Sequence, residues 1–99
     1  MAEFDHKSID EVIHGRLRLA IMAFLSSVAS TDFTTLKAET GATDGNLSVH
    51  LRKLEEAGYV SAEKKFIGRK PKTTLKLSKD GRKAWIAYLD RLNAMIDRA

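Results

Sequence analysis

Between Thr43 and Lys53 the sequence TDGNLSVHLRK sets amide, hydroxyl and cationic side chains at spacings suited to a polyanion with readable edges. Asn46 can pair bidentately with adenine, Ser48 can bond several bases, and Val49 can contact a thymine methyl. Arg52 can reach guanine or a phosphate, and Lys53 a phosphate. Thr43 and the free amides of a first helical turn can hold another phosphate. Asp44 is awkward in this company: it repels phosphate unless it serves the helix terminus or accepts from cytosine. Farther along, Lys64, Lys65, Lys70 and Lys72 are backbone-contact candidates. Arg69 is the choice for insertion into a narrow A·T-rich minor groove, whose concentrated negative potential favours a guanidinium.

The elements that must position these groups follow from periodicity. Leu47, Leu51 and Leu54 fall at i, i+4 and i+7 and predict a reading helix over 43–57 with one buried stripe. Thr43 can cap its start and Gly58 can take the left-handed conformation after its end. Glu55 and Glu56 stand in the last turn, away from the polyanion-facing half. Before it, a helix over 34–40 is predicted, capped by Thr34 with Asp32 as the competing choice, turned inward by Leu36 and Ala38, and ended by Gly41. After it, alternation from Tyr59 to Phe66 and from Thr73 to Leu77 predicts a hairpin over 59–77. Gly68-Arg69-Lys70-Pro71-Lys72 forms its cationic turn, and Pro71 blunts an exposed edge.

The flanks read as helices. Ser8 and Glu11 have the spacing of a capping box. They open a helix over 9–28 that breaks near 14–15, because Gly15 interrupts helical sequence. Leu17, Ala20, Ile21, Phe24 and Val28 make its main stripe. Leu19, Met22 and Leu25 lie off that stripe, which implies cover from a second side, read here as another subunit. Ser78 caps a last helix over 78–97 with Asp80 in its first turn. Its stripe of Trp85, Leu89, Leu92 and Ile96, widened by Tyr88 and Met95, is longer than the remaining chain can cover. Pairing with a twin through this helix and residues 9–25 follows. The expected interface holds Ile9, Val12, Ile13, Leu19, Trp85, Tyr88, Leu89, Leu92, Met95 and Ile96.

Charge supports the same division. Residues 1–42 carry 4 Lys/Arg against 6 Asp/Glu, residues 43–83 carry 11 against 5, and residues 84–99 carry 2 against 2. A basic excess confined to the reading helix and hairpin is an electrostatic footprint for nucleic acid; the competing reading is a solvated face. Ninety-nine residues, 43% hydrophobic and 30% charged, describe one globular domain over 1–99, small enough for pairing to supplement its core. No apolar run approaches the roughly 20 residues of a bilayer span, so no membrane partner is expected. The start MAEFDHKS lacks the charged-then-apolar order of a secretion signal, and a cytoplasmic protein is the simplest expectation. With no cysteine, disulfides and thiolate metal sites are excluded.

The order of parts resembles that of small winged-helix transcriptional regulators of the MarR/ArsR type, over about Ile9 to Leu92. The stretches that carry the resemblance are IHGRLRLAIMAFL, FTTLKAETGATDGNLSVHLRKLEEAGYV and FIGRKPKTTLKLSKDGRKAW, most specifically H-L-x-x-L-E-x-A-G-Y-V followed by G-R-K-P. It implies a mainly α fold with a small β-hairpin, a winged helix-turn-helix that dimerises through its N- and C-terminal helices. It further implies a homodimer, by analogy a repressor, placing two reading helices in successive major grooves of a pseudo-palindromic double-stranded operator, with the wings at the flanking minor grooves. Gly15 departs from the family's frequent proline or small polar residue. The missing cysteine pair means that thiolate metal sensing is not carried over.

Other readings compete with these. A protein-binding winged helix would use the apolar end helices for a heterologous partner and keep that partner after loss of Arg52 and Arg69. His50, at the edge of the buried stripe, reads as packed rather than base-reading. His6, His14 and His50 lack metal-ligand spacing, so no metal is expected. Trp85 and Tyr88 read as dimer core before effector pocket, and a small-molecule effector remains undefined. The Gly68 loop lacks P-loop spacing. With no clustered nucleophile and base and no cofactor fingerprint, neither an enzyme nor a cofactor is expected.

Overall fold

The computed structural model describes residues 6–98; the first five residues of MAEFDHKS lie outside these. After a short 3-10 turn at His6–Ser8, the elements are α1 (Arg16–Ser26), β1 (Thr31–Asp32), α2 (Phe33–Thr40), α3 (Asp44–Glu56), β2 (Val60–Ile67), β3 (Lys70–Leu77) and α4 (Lys79–Arg98). Four helices and a small antiparallel sheet make the fold class expected from the sequence. Among the described residues no helix is long and apolar enough to cross a membrane.

Residues 9–13 are not the helical turn expected. The Val12 N–H donates to the Asp10 side chain at 2.8 Å and the His14 N–H to the Asp10 carbonyl at 2.9 Å, which folds this stretch into a turn. Such side-chain competition for backbone amides is what makes aspartate unfavourable inside helices. The turn is pinned from outside, because the Tyr59 hydroxyl donates to the other Asp10 carboxylate oxygen at 2.5 Å. That bond, then burial, pushes the Tyr59 phenol up to about 12. Gly15 precedes α1 at φ 155°, ψ 142°, a backbone region essentially confined to glycine, and this is the physical reason the helix starts only at Arg16.

α1 is the central helix. It packs against α2, α3, α4 and β3, and its fully buried residues are Ile21, Met22 and Leu25. The second apolar side attributed to another subunit is therefore covered by the chain itself. They join Ile13, Leu36, Leu47, Leu51, Leu54, Val60, Leu75, Leu77 and Tyr88 in one core, with Leu17, Leu19 and Phe24 at its margin.

Asp32 caps α2, accepting from the Thr35 N–H at 2.7 Å, and the Thr34 alternative fails. That backbone bond, with the Thr35 side chain second, holds the Asp32 carboxyl below its ordinary value. Leu36 is buried as expected, whereas Ala38 is exposed. Asp32 also ends β1, which the sequence did not reveal: Thr31 and Asp32 pair antiparallel with Leu75 and Thr74, giving a sheet in the order β1-β3-β2.

The start of α4 is tied to the junction of α3 and β2. The Ser78 hydroxyl accepts from the Gly81 N–H at 2.9 Å and donates to the Gly58 carbonyl at 2.5 Å, while the Ser78 N–H donates to Tyr59 O at 3.0 Å. Gly81 is needed for this approach, since a Cβ there would sit 2.0 Å from the Tyr59 carbonyl oxygen. From this anchorage α4 runs 20 residues, and the molecule is elongated, 56 × 26 × 21 Å.

Candidate nucleic-acid interface

α3 divides as its periodicity requires. Leu47, Leu51 and Leu54 are buried, while Asn46, Ser48, Val49, Arg52 and Lys53 are exposed. Thr43 accepts from the Asn46 N–H at 3.2 Å, so its hydroxyl serves the cap and fixes the first turn. Asp44 has a partner the sequence did not suggest. Lys37 of α2 meets it at 2.8 Å, which offsets the carboxylate next to the exposed polar face and ties α2 to the start of α3. His50 is half-buried, at the margin between that face and the buried stripe. Burial first, then the charges of Arg18 and Lys53, push its imidazole below the ordinary value, which leaves it neutral at pH 7. Its Nδ1 and the Arg18 Nε are enclosed without a hydrogen-bond partner.

The hairpin has the bounds expected, but its turn is tighter and its second strand longer than expected. Val60 pairs with Leu77 and the register continues without a break to Ile67 opposite Lys70. Lys70, Pro71 and Lys72 thus belong to β3, and the turn is Gly68-Arg69 alone. Gly68 has φ 66°, and among the described residues no non-glycine residue has positive φ. Glycine followed by an ordinary residue suits the II′ turn, whose twist matches the strands better than a longer loop would. Arg69 stands at the apex. Directly opposed residues share a face, so Ala62, Lys64, Phe66, Pro71 and Thr73 lie on one side and Lys65, Ile67, Lys70 and Lys72 on the other. Lys65 opposes Lys72, a like-charge pair that is unfavourable unless an anion lies between. Glu63 approaches Lys65 at 3.8 Å.

A groove of about 510 Å³ joins the two parts. Ser48, Arg52 and Glu55 from α3 line one wall, Ala62, Lys64 and Thr73 from the ribbon the other, over Phe33, Leu51 and Leu75. Arg52 of the reading helix and Lys64 of the ribbon, distant in sequence, therefore share one groove, while Lys65, Lys70 and Lys72 lie on the ribbon's other face.

The winged helix DNA-binding domain family matches residues 17–96. The chain belongs to this family. An uncharacterised protein of Methanocaldococcus jannaschii, MJ0432, is 37% identical over 79 residues, covering 80% of this chain and 86% of the relative. The transcriptional regulator homologue of Pyrococcus horikoshii OT3 superposes with a TM-score of 0.87 at 30% identity, covering 98% of this chain and 96% of that one. A putative MarR-family transcriptional regulator of Enterococcus faecalis V583 gives 0.74 at 25% identity, covering 88% and 77%. The protein is thus a MarR-like winged-helix DNA-binding transcriptional regulator; fold and family point to regulation rather than catalysis.

In this winged helix the residues expected to join two copies separate into groups. Ile13 and Tyr88 are 0% and 2% exposed and belong to the chain's own core, where Trp85 stacks on Tyr88 at 5.8 Å and the Tyr88 hydroxyl meets His14 Nδ1 at 3.1 Å. Neither can supply free surface to a partner. Ile9, Val12, Leu19, Trp85 and Leu92 are half-buried against that core. Leu89 and Ile96 are exposed, Met95 is half-buried, and Ile86, which the stripe reading missed, extends the exposed apolar line. Among the described residues no group of three or more histidines and carboxylates could hold a metal.

Proposed function

We propose that this regulator binds a pseudo-palindromic operator as a homodimer and represses by occupying it, with α3 in the major groove and the ribbon tip at the flanking minor groove. The observation that carries the reading is the exposed α3 face of Asn46, Ser48, Val49, Arg52 and Lys53 beside the basic ribbon, with Ser48 and Arg52 meeting Lys64 in one groove. Side chains on a capped and packed helix are held in register, as base readout requires. Asn46 and Ser48 read base edges, Val49 meets thymine methyls, and Arg52 and Lys53 set register on phosphates. Lys64, Lys65, Lys70 and Lys72 follow the backbone, and Arg69 enters the minor groove.

Pairing is supported by Ile86, Leu89 and Ile96, exposed along α4. Each is worth about 1.5–3 kcal/mol when fully buried, and a two-fold axis lets one such line cover its copy. If the dimer neutralises on the order of ten phosphates, log K falls with log salt at a slope of about −9.

Selection of bound fragments from genomic DNA, followed by gel shifts, tests the reading. Asn46→Ala is expected to lose about 1–3 kcal/mol of discrimination at one position of each half-site, and Arg69→Ala with Lys70→Ala to weaken all sites. Sedimentation at micromolar concentration should give a dimer; a persistent 11.0 kDa species refutes pairing, and unselective binding refutes base readout.

A further inference from the structure

The outer half of the ribbon carries two large apolar side chains that the contacts described so far leave unused. Phe66 is 74% exposed and Ile67 65%, on adjacent positions of β2. Phe66 pairs with Pro71 and Ile67 with Lys70, the last two pairs before the Gly68-Arg69 turn. Their faces alternate, so Phe66 with Pro71 forms an apolar patch on one side of the tip and Ile67 occupies the other, with Arg69 at the apex. The last ribbon pair with a buried member is Ala62 with Leu75. From there to Ile67 the strand runs five residues, about 17 Å at an ordinary strand rise, which takes the tip far from the core.

The charges around the tip select what can cover it. From residue 64 to residue 72 the ribbon holds Lys64, Lys65, Arg69, Lys70 and Lys72 and no carboxylate. A second copy of the same tip would bring this collar against its own kind. A polyanion with an apolar floor suits it, and a duplex minor groove has rows of phosphate along both rims with sugar and base surface between them. Apolar residues flanked by cations are the chemistry by which proteins open a minor groove, inserting side chains between base pairs and kinking the duplex toward the major groove.

Building on the DNA-binding reading above, we propose that Phe66 and Ile67 form a wedge that enters the minor groove beside Arg69, partly unstacks one base step and kinks the operator there. The wedge gives the regulator a second source of selectivity. Pyrimidine–purine steps unstack most easily, so the operator carries a TA or CA/TG step where each wing enters, without a base contact to read it.

The test uses a duplex of about 40 base pairs, long enough for two half-sites and their flanks, selected by the protein from a random pool. It carries 2-aminopurine in turn at each flanking step and a fluorophore pair on its ends. The wild-type protein should raise 2-aminopurine emission at one step in each flank and increase energy transfer between the ends. Phe66→Ser and Ile67→Ser should keep the wild-type Tm, bind about tenfold more weakly and lose both signals. Wild-type binding with unchanged emission at every step and unchanged energy transfer overturns the wedge while leaving DNA recognition intact. Variants that bind and bend like wild type do the same. Failure of the wild-type protein to recover any duplex overturns the DNA-binding reading and the wedge with it. Loss of self-association in the variants, with DNA distortion retained, assigns the tip to a second copy and overturns the proposal.

Discussion

The opposed lysines of the ribbon give a prediction in which stability and binding move in different directions. Lys65 and Lys72 face each other across β2 and β3, both exposed. In the free protein this pair costs up to about 1 kcal/mol, and the long, exposed contact of Lys65 with Glu63 and the weak attraction of Lys72 to the exposed Asp32 carboxylate recover little of it. Replacing both by alanine should therefore leave the fold intact and raise its stability by up to about 1 kcal/mol, a Tm increase of up to about 6 °C for a chain this short. DNA binding should respond oppositely. A dimer loses four cations, and at about −0.9 per neutralised phosphate the slope of log K against log salt should become shallower by about 3.6, from about −9 to about −5. Fluorescence anisotropy on the selected duplex from roughly 50 to 300 mM KCl reads the slope over the range in which phosphate contacts are screened. Thermal unfolding of the same sample reads Tm. A variant that binds with the wild-type slope refutes the assignment of these lysines to phosphates, and a fall in Tm refutes the repulsion argument.

Two further outcomes test the scaffold. Gly81→Ala places a Cβ 2.0 Å from the Tyr59 carbonyl oxygen, a backbone atom that cannot rotate away; by comparison with other overpacked sites it should cost about 1–3 kcal/mol or more, read by urea unfolding, and wild-type stability would contradict the packing described for the start of α4. The Tyr59 phenol, held up to about 12 by its bond to Asp10, contributes stability that is complete below its ordinary value near 10 and is lost as pH rises from there through 12. Absorbance titration at the tyrosinate band should therefore show a late-titrating phenol that Asp10→Asn moves toward its ordinary value, and an unchanged midpoint would show that Asp10 is not the cause.

The sequence revealed those parts of the fold whose signals are local. Leu47, Leu51 and Leu54 repeat at helical spacing, and the Thr43 and Ser78 hydroxyls cap the turns that follow them. The Gly68-Arg69 apex was also legible, but its width was not. Pro71 and two lysines look like loop chemistry, yet β1 pairs only with Thr74 and Leu75, so β3 has one open side at Pro71 where a proline is tolerated, and the unbroken register carries all three in β3. β1 was invisible because two polar residues have no periodicity, and they become a strand only by pairing with Leu75 and Thr74. Ile9, Val12 and Ile13 have helical spacing, but Asp10 captures the Val12 amide and turns Ile13 into the core. Leu19, Met22 and Leu25 suggested a second subunit because a one-dimensional stripe does not tell how many of the chain's own elements surround α1. In the candidate interface, the cations were legible from type and spacing. The Lys37 to Asp44 contact was not, because it depends on how α2 and α3 meet.

The central claim, two copies presenting α3 to successive major grooves, is tested most directly by cleavage from the helix itself. The chain has no cysteine, so one introduced at Gly45 can carry an iron chelate at a single known position. A Cβ at Gly45 meets nothing within 4 Å, which leaves α3 undisturbed. On the selected duplex the account predicts two cleavage clusters about 10 base pairs apart, each in a major groove. One cluster, or cuts centred on minor grooves, would contradict it.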